Sequence, residues 1–172
     1  WQMRILGINC MNHDAAMAVV EIKDGLGKIL WAAHAERYSK IKNDHYLNQA
    51  IVDEAMTYGP FKKVVYYEKP WLKKPRQMYA GQYGTALSYT ELPSWHLDHF
   101  GIKIDEYVKH HDSHAAAGYF TSPFREATIL TVDAIGEWDT VSISTAEKVW
   151  IERKETIQYP HSIGILYSAF TH

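Results

Sequence analysis

Residues 4–37 read RILGINCMNHDAAMAVVEIKDGLGKILWAAHAER, and the fold turns on how this stretch divides. Three apolar runs of strand length stand in it, at 4–9, 16–22 and 28–37. The polar turn CMNHD (10–14) separates the first two, and the turn signal KDGLG (23–27) separates the second from the third. Three closely spaced strands predict an antiparallel meander.

Outward from the meander, helices and strands alternate. YLNQAIVDEAMTYG (46–59) carries Leu47, Ile51, Ala55 and Met56 at helical spacing, and Gly59-Pro60 ends it. KVVYYE (63–68) is a strand. The stretch from Pro70 to Leu97, rich in Lys, Tyr, Gln, Gly and Pro, reads as one irregular helix plus loop. EYVKHH (106–111) reads as a strand, SHAAAGYF (113–120) as a short helix and ATILTVDA (127–134) as a buried strand. TVSISTA (140–146) and VWIERKETI (149–157) form a hairpin, and a last helix starts near His161. This order predicts an α/β fold, a mixed sheet flanked by helices. It resembles the ribonuclease-H-like unit of the actin, hexokinase and Hsp70 type of ATP-binding domain. No sequence repeat is visible. SIGILYSAFTH (162–172) reads as an apolar-faced helix without a cap, Gly or Pro stop signal. Residues 1–172 are therefore expected to be the front part of a longer chain, with the carboxy-terminal half of the domain missing.

Composition narrows the class. Among 172 residues, 47 % are apolar and 22 % charged, ordinary proportions for a globular protein. A net charge of −2 gives no electrostatic ground to expect nucleic acid or an anionic membrane as partner. The one cysteine, Cys10, excludes an internal disulfide and fits a reducing compartment. No apolar stretch approaches the roughly 20 residues of a spanning helix, so a cytoplasmic location is expected. Histidine stands out: five of the ten lie between His96 and His114.

HHDSHAAAGYF (110–120) contains most of that excess. On a helix, His110 and His114 lie at i and i+4 and present two imidazoles to one ion. The same spacing occurs on surface helices with solvated histidines, capped here by Asp112 or Ser113, so spacing alone leaves both readings open. His111 either orients its neighbour or faces solvent. Asp133 adds weight to a metal. It closes an apolar strand ahead of a glycine turn, where α/β sheets bind ligands, and a buried carboxylate needs a partner. His110, His114 and Asp133 form an N,N,O set suited to a divalent transition metal with an open position. An Asx turn is the plainer account of Asp133.

Two turns and a basic segment are weaker candidates. GINCMNHDAA (7–16) places Asn12, His13 and Asp14 in the first hairpin turn, and in ATP-binding domains of this architecture that turn faces the phosphates. GEWDT (136–140) is its counterpart, with Gly136 allowing close backbone approach, then Glu137, and Thr140 offering a hydroxyl. ERYSKIKNDH (36–45) offers Arg37, Lys40 and Lys42 to a phosphate or carboxylate. Each also reads as an ordinary polar turn or solvated loop.

GINCMNHDAAMAVV, AERYSKIKNDH, HHDSHAAAGYFTSPF and TVDAIGEWDT, in this order and spacing, resemble the amino-terminal part of the nodulation-protein-U type of O-carbamoyltransferases. The resemblance implies an enzyme that moves a carbamoyl group from carbamoyl phosphate, through a carbamoyl-adenylate made with ATP and Mg²⁺, to a hydroxyl of a small-molecule acceptor. It implies Fe²⁺ or Zn²⁺ held by His110, His114 and Asp133, catalytic roles for His13 and Lys42, and remaining domains on the same chain as partners. Lys40 stands where the family often has Arg, and Ala134 where Gly is usual. Such a front part is expected to be inactive alone. The alternative is a sugar-kinase-like or chaperone-like ATP-binding domain of the same fold, with structural histidines and Mg²⁺ held by carboxylates and water.

Overall fold

The computed structural model describes residues 2–12 and 14–171. The chain divides into two units, Trp1–Tyr67 with Gly84–Tyr107, and Glu68–Tyr83 with Val108–His172.

The expected meander opens the first unit as β1 (Gln2–Asn9), β2 (Ala16–Lys23) and β3 (Leu26–His34). β1 runs antiparallel to β2, with Leu6 opposite Val19 and Ile8 opposite Met17. β4 (Lys63–Tyr66) pairs in parallel with β1, and β5 (Glu106–Tyr107) in parallel with β4. The order is therefore β3-β2-β1-β4-β5, with β1 in the centre. That position explains the alternation in β1: Leu6 and Ile8 are buried, and Met17 and Val19 across from them complete one core layer. Each such side chain withdrawn from water stabilises the fold by about 1.5–3 kcal/mol.

Chain beyond His34 turns into α1 (Glu36–Ser39), where a strand to residue 37 is expected from sequence. α2 (Gln49–Met56) starts at Asn48, whose side chain accepts the Ile51 N–H at 3.2 Å. Ile51, Val52 and Ala55 bury its inner face, Leu47 packs just ahead of the helix, and Met56 is exposed. The stretch expected to hold one irregular helix contains three: α3 (Pro70–Tyr79), which belongs to the second unit, α4 (Tyr83–Leu87) and α5 (Pro93–Asp98). Proline at the first turn of α3 and of α5 starts each, since an N–H there would lack a helical partner anyway.

The second unit carries β6 (Glu126–Gly136), β7 (Asp139–Glu147) and β8 (Trp150–Gln158) in a second antiparallel meander. Topology therefore repeats where no sequence repeat is legible. α6 (His110–Phe120) and α7 (Ile163–Thr171) pack on β6. The 106–111 strand is cut to two residues because Lys109 is the extended N-cap and the helix begins at His110. Neither Asp112 nor Ser113 caps it: Asp112 meets Arg153, and the Ser113 hydroxyl turns back to the Lys109 carbonyl. Three alanines (115–117) favour the helix, which stops at Thr121 before Ser122-Pro123. β6 also departs from expectation. Its apolar run leaves Leu130 64 % and Val132 48 % exposed, because they alternate with the more buried Ile129, Thr131 and Asp133 and point from the face of β6 that the described residues leave uncovered. No helix among the described residues is long and apolar enough to cross a membrane.

Candidate metal centre

Helix α6 sorts its side chains into two adjoining stripes. His111, Ala115 and Tyr119, four residues apart, are buried toward the β6–β7 sheet. His110 and His114 form the neighbouring stripe and meet Asp133 of β6. His110 Nε2 is 2.8 Å from Asp133 Oδ2 and 3.1 Å from His114 Nε2, and His114 Nε2 is 3.9 Å from Asp133 Oδ2. One donor atom from each residue thus lies within 4.8 Å of the others. Ligands about 2.0–2.1 Å from one ion stand roughly 3–3.4 Å apart in octahedral or tetrahedral geometry. Two of the three separations lie near that range, while the 3.9 Å between His114 and Asp133 exceeds it, and the exposed His114 side chain would have to close the gap. In chemistry the set, two imidazoles and one carboxylate, suits a transition metal.

Electrostatics follow from burial. His110 is 6 % exposed, and burial disfavours its charged form. The carboxylates of Asp133 and Glu68 outweigh that and raise it to about 9. The His110 hydrogen bond draws Asp133 down to about 2 against its own burial. The Asp133 Oδ1 also accepts the Ala134 N–H at 2.6 Å, so the Asx-type contact and the histidine contacts coexist.

Support comes from several directions. Ser162 donates to the carbonyls of Asp133 and Ala134, and Gly164 packs so closely that an added Cβ would stand 2.6 Å from the Asp133 carbonyl oxygen. Gly136 does the same for the histidines: a Cβ there would meet His110 Cδ2 at 2.6 Å and His111 Cδ2 at 2.8 Å. His111 neither faces solvent nor joins the donors. It is 1 % exposed, and its Nδ1 lies 2.9 Å from the Ser142 hydroxyl of β7.

The turn expected over 136–140 is confined to Glu137 and Trp138, because Gly136 ends β6 and Asp139 and Thr140 open β7. Glu137, at φ 59°, is 4 % exposed, and its carboxylate accepts backbone N–H groups from Lys69 at 2.5 Å and His110 at 3.4 Å. Burial raises its pKa. Thr140 is fully buried, with its hydroxyl directed at the carbonyls of His161 and Ile157. Both therefore support the loop from within rather than facing solvent.

In the first unit, the turn 10–15 is tied to 44–45 by the Met11 and Ala15 N–H groups, and Met11 and Asp14 take positive φ. Asn12 and Lys42 are exposed, and Lys40 donates to the Arg37 carbonyl. His13 lies outside the described residues.

Sequence reasoning missed Glu68. This carboxylate is 4 % exposed, receives Lys73 Nζ at 2.7 Å and lies 3.6 Å from His110 Nδ1. The signal was present: like Asp133, Glu68 closes the apolar run KVVYYE. Arg76, which donates to the Glu137 carbonyl at 3.0 Å, was equally hidden within a surface-like basic segment.

The family described as carbamoyltransferase N-terminus matches residues 85–172, which contain the whole donor triad. The chain belongs to that family. Among curated proteins it is 30 % identical over 196 residues to an uncharacterized protein of Synechocystis sp. (sll1178), covering 98 % of this chain and 31 % of the relative. It is 22 % identical over 173 residues to the nodulation protein NolNO of Sinorhizobium fredii, covering 92 % of this chain and 25 % of the relative. The carbamoyltransferase-family chain thus spans about a third or less of the curated relatives it matches. Among solved structures it resembles the Aquifex aeolicus PPX-GPPA enzyme, with a TM-score of 0.50 and 14 % identity over 99 % of this chain and 56 % of that one. At that identity the likeness is one of fold, and it agrees with the actin- and hexokinase-like α/β architecture expected above.

Proposed function

We propose that this family member contributes the transfer site of an ATP-dependent O-carbamoyltransferase of the nodulation-protein-U type, in which His110, His114 and Asp133 hold Fe²⁺ or Zn²⁺. The observation that supports this reading is the convergence of two imidazoles and a carboxylate, from α6 and β6, at 2.8–3.9 Å. Bound there, the ion would act as a Lewis acid toward the adenylate phosphate and the acceptor oxygen.

In the proposed transfer, the acceptor hydroxyl oxygen bonds to the carbamoyl carbon, the carbon–oxygen bond to the adenylate phosphate breaks, and AMP departs. His13 takes the hydroxyl proton, a task suited to an imidazole titrating near neutral pH. Lys42 supplies a positive charge for phosphate, and Asn12 and Asp14 supply short polar groups to the nucleotide in the turn 10–15. Gly136 keeps the second turn free of a side chain, while Glu137 and Thr140 hold its shape. ATP with Mg²⁺, carbamoyl phosphate and the remaining domains of the longer protein complete the reaction in this proposal.

Elemental analysis of the purified chain tests the reading. Stoichiometric iron or zinc, lost in His114→Ala, is the expected result. Mg²⁺-dependent ATP binding with no transition metal retained would overturn it in favour of a kinase-like or chaperone-like domain.

A further inference from the structure

We propose that Glu68 is the positioning residue of the metal centre: its carboxylate takes the Nδ1 side of His110 and so turns Nε2 toward the ion. The inference rests on the ligand assignment above and adds a residue outside it.

An imidazole binds a metal through the lone pair of one nitrogen while the other carries a proton. Whatever accepts that proton decides which nitrogen is the ligand. In His110, Nε2 faces Asp133 and His114, and Nδ1 faces Glu68 Oε2 at 3.6 Å. The two oxygens of Glu68 divide their work, since Oε1 receives Lys73 Nζ at 2.7 Å and Oε2 is the one directed at His110. A carboxylate only 4 % exposed needs such partners to remain ionised.

The remaining contacts remove the ring's alternatives. The His110 ring occupies the space a side chain at Gly136 would need, since a Cβ there would stand 2.6 Å from Cδ2 and 3.0 Å from Cγ, and the Glu137 carboxylate receives the His110 N–H at 3.4 Å. Glu137 is fixed in turn by the Lys69 N–H, one residue after Glu68. The segment from Glu68 into α3 thus backs the centre from a point about forty residues upstream of its first ligand. Carboxylate partners of metal-bound histidines typically contribute 10- to 100-fold in affinity.

The test uses the whole chain with Zn²⁺ in competition with a chromophoric chelator, and Co²⁺ as a spectroscopic probe. The variants are Glu68→Gln, which keeps the shape and removes the charge, Glu68→Ala, and His114→Ala. A roughly 10- to 100-fold rise in the Zn²⁺ dissociation constant is expected for Glu68→Gln, and at least as much for Glu68→Ala. The visible bands of bound Co²⁺ should shift in Glu68→Gln, while its metal-free melting midpoint stays within a few degrees of wild type. If wild type and His114→Ala bind Zn²⁺ alike, or neither binds it, the ligand assignment fails and the role of Glu68 falls with it. If His114→Ala loses the metal but both Glu68 variants keep the wild-type constant and Co²⁺ spectrum, only the positioning role is overturned, and Glu68 is a structural partner of Lys73.

Discussion

His110 Nε2 and Asp133 Oδ2 stand 2.8 Å apart, joining the first turn of α6 to the far end of β6. Without metal, this contact is an ion pair with a defined pH window. His110 is raised from 6.5 to about 9, so its contribution to stability is complete below pH 6.5 and is lost as pH rises through 9. Asp133 is lowered from 3.8 to about 2, so its contribution is complete above pH 3.8 and is lost as pH falls through 2. In the presence of EDTA, the stability gap between wild type and Asp133→Asn should be widest between about pH 4 and 6.5 and close toward pH 9.5. Melting midpoints across that range decide it; a gap equal at pH 6 and pH 9.5 would show that the pair is not ionic.

Adjacent histidines should respond in opposite ways. His111→Ala empties a buried site against Ser142 and should cost about 2–4 kcal/mol in urea unfolding while metal is still retained. The His114 side chain is 56 % exposed, so His114→Ala should change stability by no more than about 0.5 kcal/mol without metal, yet abolish metal retention.

Gly136→Ala places a methyl group 2.6 Å from the His110 ring and 2.8 Å from that of His111. Rings and backbone must shift, at an expected cost of about 1–3 kcal/mol and with weaker Zn²⁺ binding. Gly118→Ala is the matched comparison, because it lies within α6 with nothing near the added Cβ. It should stabilise the chain by about 0.5–1 kcal/mol. Urea midpoints that move in the same direction for both variants would contradict the steric account.

Arg153 of β8 reaches Asp112 in the first turn of α6 and Asp139 at the start of β7. A guanidinium spans two carboxylates as a fork, whereas an ammonium is a point charge. Arg153→Lys should therefore destabilise by about 1–2 kcal/mol, and Arg153→Met by more, since it removes the guanidinium from the buried Asp139. Comparing both with an Asp112→Asn background in a double-mutant cycle should show coupling of at least about 0.5 kcal/mol.

Much of this was legible along the chain because it is local. The alternation of Leu6 and Ile8 against Met17 and Val19, the turns between them, and the i, i+4 spacing of His110 and His114 each follow from strand or helix periodicity. Asp133, which closes the apolar run ATILTVD, stood out in the sequence as a candidate ligand beside the plainer reading of an Asx turn, although β6 itself continues to Gly136. What sequence could not show was where α6 begins, since EYVKHH has strand-like composition and the Lys109 cap has no side-chain signature. The exposure of Leu130 and Val132 was equally hidden, because an apolar run reads the same whether one or both of its sides are covered.

Sequence by itself determined the meander, the paired imidazoles and the carboxylate, for these depend on periods of two and 3.6 residues and on residue chemistry. Only the tertiary structure decided that His111 is buried against Ser142, that Glu68 stands behind the His110 ring, and that Glu137 and Thr140 turn inward. Those outcomes depend on distances between segments tens of residues apart, which packing fixes and no local pattern encodes.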